Sequence, residues 1–157
     1  MSVYNGQRQV ANPGVVCAIA AVGVAGIGAM IGLNFTPDAW FEALRKPFFQ
    51  PPDWLFSPVW TVLYLMIGWV GGRKYLYGGA QKLWLLQLVL NFAWMPVFVG
   101  LHSVGGALAL IVALWAILIA FLRIEWGSDR VSAYLFLPYF AWVTFATLLT
   151  LAIWILN

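Results

Sequence analysis

Charge is what this sequence has least of. Of its 157 residues, 8% are Asp, Glu, Lys or Arg, while 64% are hydrophobic. A water-soluble domain carries about a quarter charged residues, so water is excluded as the main solvent for most of this chain. None of the 5 acidic and 8 basic residues falls in the middle of a long apolar stretch. That excludes an intramembrane carboxylate or ammonium as a proton carrier, and disfavours an ion-driven pump. No two carboxylates are placed for acid–base hydrolysis. Cysteine and histidine occur once each, as Cys17 and His102. A lone cysteine excludes an internal disulfide. The two together supply no cluster with metal-ligand spacing, so no metal site is expected. Basic residues lie at the ends of apolar stretches rather than in one patch, which excludes a nucleic-acid partner.

What is abundant is uninterrupted apolar chain. Residues 9–37, 54–72, 83–122 and 131–157 carry no charge, lengths of 29, 19, 40 and 27 residues. About 20 apolar residues cross the hydrocarbon core as a helix. The longest stretch is twice that and breaks at Gly100-Leu101-His102-Ser103-Val104-Gly105-Gly106. Lipid leaves backbone amides no outside partner, so helix and closed barrel are the only options. Barrel strands alternate every second residue, and Ile111-Val112-Ala113-Leu114-Trp115-Ala116-Ile117-Leu118 does not. The expected fold is an all-α integral membrane protein, a single bundle of five transmembrane helices over residues 1–157, near 13–34, 56–77, 81–101, 104–124 and 131–156. The first stretch is longer than a usual signal-peptide core and is read as a span.

With five spans, the N-terminus and the loops at 73–82 and 123–130 share one side. They carry Arg8, Arg73, Lys74, Lys82, Arg123 and Arg130; the other side has Arg45 and Lys46. The positive-inside rule then places the N-terminus in the cytoplasm and the C-terminus outside.

Residues 35–57 form the one sizeable extramembrane segment. Thr36 is a plausible N-cap with Pro37 at the first helical position. Trp40, Phe41 and Leu44 share a face of a short helix that Pro47 ends, and Gln50-Pro51-Pro52 is extended. Such an aromatic segment either folds back as a lid over the bundle end or rests on headgroups as an anchor; the lid reading centres on Trp40, Lys46, Pro47, Pro51 and Pro52. Ala21, Ala25, Gly28 and Gly32 make a small-residue face on the first span, and Gly68-Trp69-Val70-Gly71-Gly72 repeats the spacing. Small faces admit close helix approach, within one bundle or between two copies.

Ten tryptophans remain to be explained. Trp40, Trp54, Trp84, Trp126 and Trp154 fall at span ends, where an interfacial belt accounts for them. Trp69 and Trp115 lack polar neighbours on their own helical faces and are expected in packing or lipid contact. Gln87, Asn91, Trp94 and Phe98 share one face of the third span. A mid-membrane amide is costly without a partner, so this face serves helix–helix hydrogen bonding or a ligand. Pro96 removes a backbone donor just beyond Trp94 and is expected to kink the helix. Trp142, Phe145, Ala146 and Leu149 form a stripe on the fifth span, where Pro138 is a second candidate kink. Trp60 and Tyr64 lie one turn apart on the second. At about 1.5 Å per residue, Trp60 lies about 6 Å, Trp94 about 10 Å, and Asn91 and Ala146 about 15 Å below the lid side. Apolar walls with a few polar groups suit a flat aromatic small molecule. His102 is read as a solvated turn residue rather than a haem ligand.

Three ordered motifs carry a resemblance. Trp40-Phe41-Glu42-Ala43-Leu44-Arg45-Lys46-Pro47 with Pro51-Pro52 and Pro58-Val59-Trp60-Thr61-Val62-Leu63-Tyr64 is the first. Leu90-Asn91-Phe92-Ala93-Trp94-Met95-Pro96 and Leu137-Pro138-Tyr139-Phe140-Ala141-Trp142 are the others. Together they resemble the translocator protein family, also called tryptophan-rich sensory or peripheral-type benzodiazepine receptor proteins. The resemblance implies a five-helix bundle, commonly a homodimer, in a bacterial or mitochondrial membrane. A bacterial membrane is the expectation here. It also implies a pocket for protoporphyrin IX or haem as ligand, with no obligatory cofactor. The pocket would be lined by Trp60, Tyr64, Asn91, Trp94, Trp142, Phe145, Ala146 and Leu149. Some bacterial members are similar in degrading protoporphyrin under light, which would make Trp60 and Trp142 the catalytic pair. Phe49 stands where the loop signature has tryptophan. Leu151 and Ile155 stand where animal members carry a tyrosine and a basic residue for cholesterol, so sterol recognition of that kind is not expected. The expected function is tetrapyrrole-binding sensing or regulation; the alternatives are light-driven porphyrin breakdown and passive transport of amphipathic molecules. An assembly partner for a larger membrane complex is a further option.

The side assignment is tested by a C-terminal fusion: alkaline phosphatase should be active there and a cytoplasm-only fluorescent reporter dark.

Overall fold

The computed structural model describes residues 12–157. Arg8, part of the sidedness argument, lies outside them. Five helices are long and apolar enough to cross a membrane: α1 (Pro13–Asn34), α3 (Asp53–Tyr77), α4 (Gln81–Met95, prolonged by a π-helical turn at Pro96–Gly100), α5 (Val104–Ser128) and α6 (Arg130–Leu156). Between α1 and α3 lies the short α2 (Ala39–Ala43). No strand occurs among the described residues.

Close approach through glycine joins α1 to α3. A Cβ on Gly68 would sit 2.5 Å from the Ala20 carbonyl oxygen, and one on Gly72 would sit 2.6 Å from Cys17 Cα. The expected small-residue faces therefore meet inside one bundle. Of the pair on α1, Gly28 lies under the Tyr64 ring, whereas Gly32 faces open space. At the other side, Phe121 of α5 stacks on Phe136 of α6 at 4.3 Å. Trp115 of α5 donates its indole N–H to Thr144 Oγ1 at 2.9 Å. Trp115 thus has a polar partner after all, supplied by a neighbouring helix that reading its own face did not reveal. Trp84 is likewise more than a belt residue: it covers Gly71 and donates to the Ile67 carbonyl at 3.0 Å.

Several boundaries differ from expectation for local reasons. The lid helix is capped by Asp38, whose carboxylate accepts from Phe41 N–H at 3.0 Å, rather than by Thr36. It ends at Ala43, where Leu44 turns extended, three residues before Pro47. Pro52 starts α3 at Asp53, three residues earlier than 56. Pro96, which has no N–H to give, is met by a π-helical turn in which Leu101 N–H reaches the Pro96 carbonyl at 2.9 Å. Helix α3 ends at Tyr77, as expected, and turns on Gly78 and Gly79, both with positive φ, which glycine tolerates. Helix α5 runs to Ser128 instead of residue 124 and leaves only Asp129 before α6.

A charged cluster joins these helix ends. Lys74 and Glu125, both buried, pair at 2.5 Å, and Glu125 also accepts from Ala80 N–H at 2.7 Å. Asp129 lies 3.3 Å from Lys74, takes two bonds from the Arg73 guanidinium, and caps α6 through Ser132 N–H. Burial works to raise the Asp129 pKa, but Arg73 and Ser132 outweigh it and hold the carboxyl well below the usual carboxylate range. Its contribution to stability is therefore present above about pH 4 and fades as pH falls below that. Two positive and two negative groups balance, so Arg73 and Lys74 are helix-borne clamp residues rather than loop charges.

A buried ion pair that loses one partner leaves a bare charge, at a cost of about 3–5 kcal/mol. Glu125→Ala should therefore lower the unfolding temperature in detergent sharply. Lys74→Met combined with Glu125→Leu should recover part of the loss.

Candidate ligand-binding site

A cavity of about 280 Å³ opens inside the bundle beneath α2. Its walls come from every long helix. Helix α1 contributes a smooth side at Gly28, Ile31 and Gly32. Helix α3 contributes Trp60 and Tyr64, whose rings stack at 5.3 Å. Asn91 and Trp94 come from α4, Ile111 and Leu114 from α5, and Trp142, Ala146 and Leu149 from α6. The face read on α4 thus meets the stripes read on α3 and α6. Phe145 is the exception. It does not line this space but lies on an outer groove between α3 and α6, where Trp142 also reaches. Phe145 is the immediate neighbour of Ala146, and a helix turns about 100° per residue, so with Ala146 facing the cavity Phe145 faces aside.

Asn91 is held from both ends. Its Oδ1 accepts from the Tyr64 hydroxyl at 3.0 Å, and its Nδ2 donates to the Tyr139 hydroxyl at 2.8 Å. Tyr139 in turn donates to Gln87 Oε1 at 2.8 Å. The helix–helix reading of the amide face holds: the chain ties α3, α4 and α6 together, while Asn91 and Tyr64 also border the cavity. Sequence inspection missed Tyr139, which is fully buried. Its signal was a phenol one turn before Ala146's stripe begins, three residues from Trp142. The indole nitrogens of Trp94 and Trp142 are buried without a partner. An unmade bond of that kind costs about 1–3 kcal/mol.

The lid segment closes the near end. Phe41, Pro37 and Gln50 line the cavity. Trp40 and Phe41 each meet Phe98 edge-on, at 6.2 and 5.7 Å; Phe98 is buried within the π-helical turn. Two latches hold α2. His102 Nε2 meets Asp38 Oδ2 at 2.8 Å while its ring stacks on Trp40 at 4.5 Å. At the far end, the Asn157 side chain accepts from Arg45 N–H at 2.9 Å and donates to the Arg45 carbonyl at 3.1 Å. His102 is thus an engaged latch residue, not a freely solvated one, and its backbone has a positive φ of 51°. The Phe41 N–H, then His102, hold the Asp38 carboxyl below its ordinary pKa. Lys46 pairs with Glu42 at 3.1 Å and lies over the Phe41 ring. Pro47, Pro51 and Pro52 shape the return to α3 without lining the cavity.

Residues 15–155 match the TspO/MBR family. The chain belongs to that family. Relatives include Protein CrtK of Rhodobacter capsulatus, 35% identical over 80% of this chain and 83% of that protein. The tryptophan-rich sensory protein of Cereibacter sphaeroides is 35% identical over 78% of this chain and 79% of its own length. The human translocator protein is 32% identical over 82% of each. Five apolar spans and this membership make the chain an integral membrane protein of the translocator type.

Loss of the first latch should show at the lid alone. Asp38→Ala is expected to speed amide hydrogen exchange across residues 38–46, with exchange in α5 unchanged.

Proposed function

We propose that this TspO/MBR protein binds a flat, largely apolar tetrapyrrole in the cavity under α2 and acts as a membrane sensor or regulator. The observation that supports this most is the wall itself: indoles, a phenol and one carboxamide from three helices border one apolar space. Rings of this kind hold a flat aromatic ligand by stacking and apolar contact. Metal-free protoporphyrin IX fits the lining better than haem. The lining offers an iron no histidine or cysteine, and Met95 is its only sulfur. His102 is engaged in the lid latch. Related proteins bear the names sensory protein and translocator protein, which agree with a ligand-responsive role. The proposal includes a bacterial membrane with the lid outside, and a homodimer.

A second reading, light-driven breakdown of the bound porphyrin, draws support from the Trp60–Tyr64 stack beside the cavity. An indole is able to give an electron to an excited porphyrin without a general acid.

Titration of the purified protein with protoporphyrin IX should quench tryptophan fluorescence saturably. Trp60→Ala and Trp142→Ala should each weaken binding about tenfold, or roughly 1.4 kcal/mol. Unsaturable quenching that both variants leave unchanged would refute the proposal. Illumination with and without protein, followed by porphyrin absorbance, separates breakdown from binding.

A further inference from the structure

At the end of the bundle away from the lid, Glu125 and Asp129 both turn their charge inward. Glu125 is fully buried against Lys74 and the Ala80 N–H. Asp129 takes the Arg73 guanidinium, the Lys74 ammonium and the Ser132 hydroxyl. The two acids stand inside the run Arg123-Ile124-Glu125-Trp126-Gly127-Ser128-Asp129-Arg130. Arg123 and Arg130, at its two ends, are exposed, and among the described residues neither has an acidic partner. The clamp thus neutralises its own members and leaves these two guanidiniums without a counter-charge.

An aromatic pair joins the same two helices. Trp126 of α5 and Tyr134 of α6 meet at 5.3 Å, and both rings are about half exposed. Arg123 precedes Trp126 by three residues on α5, and Arg130 precedes Tyr134 by four on α6. Residues so spaced are neighbours on a helix surface. Helix α5 runs towards this end and α6 away from it, so the two arginines bracket the rings in depth. At 1.5 Å per residue the four positions span about 8 Å. Arg123 starts deepest, and the length of its stem lets the guanidinium rise to the headgroups. Val131 and Leu137, three residues to either side of Tyr134, extend the exposed apolar surface along α6.

We propose that this α5–α6 corner is a binding site for an anionic phospholipid, independent of the cavity under α2. Its phosphodiester lies between Arg123 and Arg130, and its glycerol and acyl chains lie on Trp126, Tyr134 and Leu137. The occupant follows from charge complementarity. A guanidinium meets phosphate oxygens through two parallel hydrogen bonds. A zwitterionic lipid brings the same phosphate together with its own cation, whereas a lipid of net negative charge supplies the counter-charge that the two arginines lack. Glu125 and Asp129 are the acids nearest in sequence, and their engagement with Lys74 and Arg73 keeps them from competing for the site. Amphipathic rings such as indole and phenol settle at the level where headgroup meets chain.

Native mass spectrometry tests the site. The protein, purified in a neutral detergent, would be mixed with equal amounts of phosphatidylglycerol and phosphatidylcholine of the same acyl chains, and the retained lipids counted. Phosphatidylglycerol should be retained about tenfold over phosphatidylcholine. Arg123→Gln combined with Arg130→Gln should bring that ratio close to one. The unfolding temperature of the double variant in detergent alone should stay unchanged, since neither arginine has an ionic partner inside the bundle. Arg45→Gln, which removes one exposed cation at the lid end, should keep the preference. Inorganic phosphate at millimolar concentration should leave the bound lipid in place, because it makes no contact with the rings. Equal retention of the two lipids by the unmodified protein, or a preference that the double variant keeps, would overturn the proposal. Displacement by inorganic phosphate would reduce the corner to a plain anion site and overturn its lipid reading.

Discussion

Lipid offers no hydrogen bonds, so a polar group that this bundle brings inside is costly unless it finds a partner within the protein. The rest of the architecture depends on how that constraint is met. At mid-depth it is met by one chain, Tyr64 to Asn91 to Tyr139 to Gln87, which crosses three helices. Removing Asn91 strands the Tyr64 hydroxyl, and removing Tyr139 strands Gln87 Oε1. The chain therefore fixes the separation of α3, α4 and α6, and the cavity is the space left above it. A second solution operates nearer the N-terminal side, where Lys74, Glu125, Asp129 and Arg73 satisfy one another and close the bundle. The two solutions divide the labour: ions clamp the end that carries no cavity, and neutral groups line the end that does.

Neutral polarity also shapes what the cavity accepts. Its lining holds a single ionisable carboxylate, Asp53, at the rim, and no cation. An anionic substituent on a ligand would find no counter-charge inside and would stay at the mouth or outside it. The two unpaired indole N–H groups act in the opposite sense, since a neutral acceptor brought within reach relieves their desolvation.

Much of this was legible in the residues. Charge-free length gave the five spans, because hydrophobic thickness is a fixed ruler. The i, i+4, i+7, i+11 run from Gln87 to Phe98 gave the polar face of α4, because helical periodicity survives any packing. What remained hidden involved partners distant in sequence. Lys74 looks like a loop cation until Glu125, 51 residues later, is known to lie against it. His102 looks like a turn residue until Asp38 and Trp40 arrive from another loop. Phe145 shared a stripe with Trp142, but a stripe has width, and its edge falls on the groove. Thr36 lost the cap to Asp38, two residues on, because a carboxylate reaching the N3 amide beats a hydroxyl that Pro37 leaves with fewer donors to satisfy.

Gly28 lies where any Cβ would strike the Tyr64 ring, so the innermost wall of α1 abuts the first member of the polar chain. Helix α1 brings no hydrogen bond of its own to that contact. It acts as a backstop: a methyl group added at Gly28 would lie 2.4 Å from the phenol ring, so the contact leaves no room for a side chain. The opposite face of α1 looks outward to acyl chains, with Ile19, Val22 and Met30 exposed. The same helix thus meets lipid on one side and, through one residue lacking a side chain, supports the chamber floor on the other.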